Sequence, residues 1–257
     1  MDDRPIGVFD SGLGGLTTVR EEDIVYFGDT GRVPYGSRSR ETIVKYARQD
    51  VAFLRTFDLK TIVIACGTVS TTALDVLAAE NPIPVLGVVA PAARAAARAT
   101  RIGTQASIRS GAYERLIRAE NPAARVLAQP CPLFVPLVEN GRFRPGDVVI
   151  ETVAAEYLAP LKEAGVDTLV LGCTHYPLLE KVIGAYMGPE VRLINSGAEG
   201  ARAAADCLRE RDALAGPGRG SCRCFVSDRQ EDFSRLASTF LGWDVAQAVE
   251  QVDISQY

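Results

Sequence analysis

Two segments of the chain carry nearly the same message, and each ends on a cysteine. Thr61-Ile-Val-Ile-Ala-Cys66 and Thr168-Leu-Val-Leu-Gly-Cys173 each read threonine, three branched apolar residues, a small residue and a thiol. A short continuous apolar run of this kind marks a strand buried on both faces, as in a parallel sheet. In open α/β sheets the chemistry sits at the carboxyl ends of the strands. The two thiols therefore stand at equivalent active positions of two similar halves. A matched pair of thiols suits a reaction that is itself nearly symmetric, with one group removing a proton and its counterpart returning one. That is the chemistry of a racemase or epimerase.

Other residues narrow the choice. Asp10-Ser11-Gly12-Leu13-Gly14-Gly15 follows an apolar run and opens a helix. A glycine-rich turn there offers free backbone N–H groups to an anion. It lacks the Lys-Ser/Thr of a P-loop and the full dinucleotide-binding spacing, and Asp10 would repel a phosphate. A carboxylate at that strand end suits an ammonium or a neighbouring thiol. His175, two residues after Cys173, is the sole histidine of the chain, so mechanisms that need two imidazoles are excluded. None of the four lysines, Lys45, Lys60, Lys162 and Lys181, ends a strand motif, which argues against a Schiff base. Cys222 and Cys224 form a Cys-x-Cys pair with no second Cys/His pair nearby to complete a zinc site. Cys131, Cys207 and Cys222 read as ordinary thiols. Cysteine acts as thiolate, and a helix start or a cation lowers its pKa. Helices are expected after both Cys66 and Cys173.

The elements that must hold these residues alternate between strand and helix. Strands are predicted at 6–10, 23–28, 61–66, 85–88, 126–128, 168–173, 191–194 and 222–227. Helices are predicted at 40–56, 68–79, 107–120, 148–164, 178–186, 198–211 and 231–241, with a further alanine- and arginine-rich helix after Val88. This alternation predicts parallel sheets covered by helices on both faces. Two connections read as short. About seven residues, Leu16 to Glu22, follow the glycine turn before the second strand, against roughly ten to twelve for a parallel crossover. The helix after Val88 also runs directly into Arg101-Ile102-Gly103-Thr104. Chain breaks are expected near Arg20–Glu21 and Thr100–Arg101, a shorter native connection being the alternative.

The chain has 257 residues, 47% of them hydrophobic and 23% charged, which is ordinary for a globular protein. A net charge of −4 supplies no basic field for nucleic acid, and no apolar window reaches the length of a membrane span. The opening residues carry no secretory pattern, so a cytoplasmic location is expected.

Four motifs together resemble the glutamate racemase family. They are Phe9-Asp-Ser-Gly-Leu-Gly-Gly-Leu16, Pro34-Tyr-Gly-Ser37, Ala65-Cys-Gly-Thr68 and Gly172-Cys-Thr-His-Tyr-Pro177, in the family's order. Gly103-Thr104, Ser110-Gly-Ala-Tyr113 and Val138-Glu-Asn-Gly141 also fit, so the resemblance covers nearly the whole chain. It implies an α/β fold of two pseudo-symmetric, doubly wound parallel-sheet domains with the active site between them. The first domain would comprise 1–90 plus 195–257, and the second 91–194.

By that resemblance Cys66 removes the α-proton of D-glutamate and Cys173 that of L-glutamate. Asp10 assists Cys66 and His175 assists Cys173, with Glu139 near the second base. Ser11, Tyr35, Gly36, Gly67, Thr68, Thr104, Thr174 and His175, together with Asp10, match the positions that hold the substrate. No cofactor or metal is implied, the product is D-glutamate for peptidoglycan, and a homodimer is expected with no nucleic-acid or membrane partner. One departure stands out: many members have Asn after the first cysteine, where this chain has Gly67. The alternatives are an aspartate racemase of the same superfamily, a Cys-His hydrolase or amidase using Cys173 as nucleophile, and a binding protein that kept the fold.

Overall fold

A computed structural model describes residues 1–10, 22–96, 100–216, 218, 220–241 and 249–257. The glycine-rich turn from Ser11 to Gly15 and the Arg20–Glu21 junction lie outside the described residues. Among those described, ten strands form two sheets. They are β1 (Ile6–Asp10), β2 (Ile24–Gly28), β3 (Thr61–Ile64), β4 (Val85–Gly87), β5 (Thr100–Gly103), β6 (Ala128–Pro130), β7 (Thr168–Leu171), β8 (Arg192–Asn195), β9 (Cys222–Val226) and β10 (Val249–Gln251). The helices are α1 (Arg40–Leu54), α2 (Gly67–Thr72), α3 (Leu74–Glu80), α4 (Val89–Ala95), α5 (Gln105–Ser110), α6 (Ala112–Glu120), α7 (Phe134–Glu139), α8 (Val148–Glu163), α9 (Glu180–Met187), α10 (Ser196–Glu210) and α11 (Gln230–Leu241). None is long and apolar enough to cross a membrane.

Every strand pair is parallel. The larger sheet runs β10-β9-β2-β1-β3-β4 and the smaller β6-β5-β7-β8. Numbered from their own first strands, both contain the order 2-1-3-4. That shared order is the internal repeat announced by the two cysteine segments, and β3 and β7 are its equivalent members. In each sheet the order reverses between the first and third strands, where ligands bind in folds of this class.

The apolar runs of β3 and β7 are buried throughout. Successive side chains point to opposite faces, so each strand feeds two cores. Ile62 and Ile64 join Phe9, Val25 and Phe27 under α1, while Val63 joins Ile6, Val8 and Tyr26 on the other face. Leu169 and Leu171 pack with Ile150 and Leu158 of α8, and Val170 packs with Val89, Ala92 and Ile117. That last cluster ties the second sheet to α4, which carries the chain from one sheet to the other.

The structure corrects several expectations. β5 runs through Thr100–Arg101 with Thr100, Arg101 and Ile102 opposite Leu169, Val170 and Leu171 in step. Residues 97–99, just before that junction, lie outside the described residues. β4 and β5 belong to different sheets, so no crossover within one sheet is needed between them. The helix predicted over 68–79 is two helices divided at Ala73, whose backbone (φ −131°) leaves the helical region. The helix predicted over 107–120 is likewise divided by Gly111, whose positive φ of 63° breaks the helical path.

Candidate active site

Cys66 lies two residues beyond β3. The Ala65 N–H donates to the Phe9 carbonyl at 2.9 Å, which keeps this extension beside β1. Cys66 is buried and stands immediately before α2, its carbonyl accepting from the Ser70 N–H at 2.9 Å. The unpaired N–H groups of the first turn therefore gather at its end of the helix. Asp10 closes β1 and is fully buried. Its carbonyl accepts from the Asp29 N–H at 2.9 Å.

Cys173 occupies the equivalent place beyond β7 and is also buried. Its surroundings differ. No helix starts directly after it, since a 3-10 turn at Tyr176–Leu179 precedes α9 at Glu180. Pro177 explains the delay, because a proline ring suits the start of a helix and not the middle of one. The thiol is served by the imidazole instead. Cys173 Sγ lies 3.7 Å from His175 Nδ1, and His175 Nε2 lies 3.2 Å from Glu139 Oε1. Burial disfavours the charged imidazole, but the Cys173 sulfur and the Glu139 carboxylate outweigh it and hold His175 up at about 10. Glu139 reaches the site because it ends α7, a helix absent from the sequence reading.

Four contacts join the two halves at this point. Thr174 Oγ1 donates to Asp10 Oδ1 at 3.2 Å. The hydroxyls of Thr68 and Thr104 lie 2.9 Å apart. Gly36 backs onto the Thr104 side chain, and Gly67 backs onto the Gly172 carbonyl. Thr104 is itself fixed, its Oγ1 accepting from the Ser107 N–H at 3.3 Å as the N-cap of α5. Asp10, Cys66, Gly67 and Thr68 thus meet Thr104, Cys173, Thr174 and His175 across the junction of the halves. Ser11 lies outside the described residues.

Tyr35 is placed differently from a substrate-facing hydroxyl. It is buried, its hydroxyl donates to Asp29 Oδ2, and it sits 3.2 Å from Asp50 Oδ2. Arg32 binds Asp29 Oδ2 at 2.6 Å and Asp50 Oδ1 at 2.7 Å. Burial and the neighbouring Asp29 charge push Asp50 well above the usual carboxylate range. This cluster braces the turn at Tyr35–Ser37, so the motif can offer its backbone N–H groups while the ring stays in the core. The sequence reading missed Asp29, Arg32 and Asp50. Asp50 was the available signal, an acid among Ala47, Val51 and Leu54 on the apolar face of α1.

Among the remaining thiols, Cys131 packs in the same core as Cys173. Burial pushes the Cys131 thiol up, as for a packed side chain. Cys222 and Cys224, with sulfurs 3.6 Å apart, lie along β9 in the larger sheet.

A family model for Asp/Glu/Hydantoin racemase matches residues 17–204. The chain is 47% identical over 253 residues to a glutamate racemase of Geobacter metallireducens, covering 93% of each chain. Its fold superposes on a glutamate racemase of Bacillus anthracis with a TM-score of 0.92 at 35% identity, covering 98% of each. The glutamate racemase of Francisella tularensis, solved in complex with D-glutamate, gives 0.91 at 36% identity over 100% of each chain. With paired thiols at the matched strand ends of a repeated α/β unit, the chain belongs to the Asp/Glu/hydantoin racemase family, among its glutamate racemases.

Proposed function

We propose that this enzyme interconverts L- and D-glutamate by passing α-protons through two thiols on opposite faces of one carbon. The observation that carries the reading is the pairing of Cys66 and Cys173 at the ends of β3 and β7, equivalent strands of two sheets with the same order. Cys173 as thiolate takes the α-proton of L-glutamate, and Cys66 as thiol delivers its own proton to the opposite face. The electron pair left by the departing proton is held on the α-carbon and its carboxylate until the second proton arrives. For D-glutamate the roles exchange.

A general base contributes only about 10²–10⁴-fold. The remainder must come from fixed dipoles around the carbanion and from exclusion of water. The burial of Asp10, Cys66, Thr68, Thr104, Cys173, Thr174 and His175 supports that reading. Thr68, Thr104 and Thr174 offer hydroxyls, and Gly36 and Gly67 offer backbone N–H groups, for the substrate carboxylates. Ser11 belongs to the same set. Asp10 assists Cys66 and takes the ammonium, while His175, held by Glu139, assists Cys173. Tyr35 acts through its backbone. The two domains of this reading are 1–90 with 195–257, and 91–194.

The wider reading has the enzyme work without cofactor, as a cytoplasmic homodimer that supplies D-glutamate for peptidoglycan. Polarimetry with L-glutamate, D-glutamate and both enantiomers of aspartate, with no cofactor added, tests the substrate assignment. Optical rotation should decay to zero from either glutamate enantiomer and persist with aspartate. Decay with aspartate alone would overturn it.

A further inference from the structure

Two of the contacts that join the halves are made where a side chain is missing. A Cβ placed on Gly67 would stand 2.5 Å from the Gly172 carbonyl oxygen and 3.3 Å from its carbon. Both obstacles are backbone atoms of the peptide that leads into Cys173. A Cβ on Gly36 would stand 2.6 Å from Thr104 Cβ and 3.0 Å from Thr104 Cγ2. Thr104 cannot swing aside easily. It is β-branched, and its hydroxyl is committed to Thr68 and to the start of α5. Neither glycine has a positive φ, so backbone conformation does not explain them. Close approach does.

We propose that Gly36 and Gly67 are positioning residues that set the separation of Cys66 and Cys173 by letting the two halves meet backbone to backbone. The inference rests on the two-thiol reading above and adds the element that fixes its spacing. Gly67 follows Cys66 directly, and Gly172 precedes Cys173 directly, so their contact is one residue from each thiol. A methyl group at Gly67 cannot be absorbed by a rotamer change and must push the two strand ends apart. Ordinary Cβ contacts begin near 3.4 Å, so the halves would separate by most of an ångström at the point where the proton is exchanged. Misplacement of that size costs roughly a hundredfold in rate. The same logic covers the departure from the family pattern. In this chain the asparagine found in many relatives has no room at position 67.

The test compares Gly67→Ala, Gly67→Asn and Gly36→Ala with Gly184→Ala, measuring racemisation in both directions, thermal midpoint and thiol accessibility. Gly184 lies inside α9, where an added Cβ meets only Leu193 Cδ1 at an ordinary 3.7 Å. Gly184→Ala should keep wild-type activity. Gly67→Ala should lower kcat roughly ten- to a hundredfold in both directions while remaining folded, and Gly67→Asn should be no better. Substrate-free Gly67→Ala should also alkylate faster than wild type with iodoacetamide at Cys66 and Cys173, mapped by mass spectrometry. Cys224, equally buried but within the larger sheet, should alkylate at an unchanged rate. If Gly67→Ala does not fold, Gly36→Ala reads the same approach from the other contact. A kcat within twofold of wild type, or lost activity without faster alkylation of the two thiols, would overturn the proposal. Near-wild-type racemisation by Cys66→Ser or Cys173→Ser would instead overturn the two-thiol reading, and the alkylation result would still report on the spacing.

Discussion

Thr174 Oγ1 donates a hydrogen bond to Asp10 Oδ1 across the junction of the halves, at 3.2 Å. Asp10 ends β1, the strand beside β3, and Thr174 follows Cys173 after β7, so a carboxylate on the Cys66 side is held partly from the side of the other thiol. Asp10→Asn keeps the shape but removes the charge, and should lower kcat/KM about 10²-fold, the scale of one assisting acid–base group. Thr174→Val removes the cross-junction bond and should cost a smaller factor. A circular-dichroism melt run beside the kinetics checks that both variants fold. Asp10→Asn with full activity would remove Asp10 from the mechanism.

His175→Asn separates the two thiols' helpers. The imidazole touches Cys173 and Glu139, whereas Cys66 stands at a helix start. The variant should therefore lose more kcat from L-glutamate than from D-glutamate. The overall equilibrium forces kcat/KM to fall by the same factor in both directions, so the asymmetry must show in kcat and KM taken separately. Progress curves from each pure enantiomer measure it. Equal losses of kcat in the two directions would show that His175 serves both thiols.

The held proton on His175 sets a pH window. Its folded pKa stands above the ordinary 6.5, at about 10. The protonated form is thus favoured by folding. The stability it contributes is fully present below pH 6.5 and is lost as pH rises through about 10. Thermal midpoints of wild type should fall more steeply between these limits than those of His175→Asn. Parallel profiles for the two proteins would place the pKa near its free value.

Much of this site was legible in the sequence because it depends on strand ends. A run of branched apolar residues predicts a buried strand, and the residue after it falls at the carboxyl edge whatever the rest of the fold does. Cys66, Asp10 and Cys173 were found that way. The short helices were not legible. α7 is six residues long, too brief to show a helical period, and it contains Pro136, so Glu139 had no visible element to carry it. β10 is three residues and lies at a sheet edge, where burial leaves little pattern. The Arg32–Asp29–Asp50 cluster escaped because Asp29 and Arg32 share one short turn while Asp50 lies on α1, and the three meet only after folding. The helix expected over 178–186 begins at Glu180 after a 3-10 turn containing Pro177, so Cys173 has His175 beside it where Cys66 has the start of α2.

A buried ion pair secures the opposite, amino-terminal ends of the larger sheet's central strands. Lys60 Nζ bonds Glu22 Oε2, the Asp2 carbonyl at 2.7 Å and the Ala213 carbonyl at 3.0 Å, while Glu22 Oε1 accepts from the Ala215 N–H at 2.9 Å. Lys60→Met would strand a buried carboxylate, which typically costs about 3–5 kcal/mol. Urea denaturation should show that loss while kcat at low temperature stays near wild type, since Lys60 precedes β3 and the thiols follow the strands. A change of less than about 1 kcal/mol would mean the carboxylate finds water or another partner.

The central claim, two thiols acting from opposite faces of one carbon, is tested most directly by where deuterium goes. Starting from L-glutamate in D₂O, the thiol that delivers the new hydrogen is the one that has exchanged with solvent. Early D-glutamate should therefore carry α-deuterium while unreacted L-glutamate stays protiated, and the reverse reaction should show the mirror pattern. Chiral separation with mass spectrometry at low conversion reads both pools. Substantial early deuterium in recovered substrate, or protium retained in the product, would contradict the account and point to a single base serving both faces.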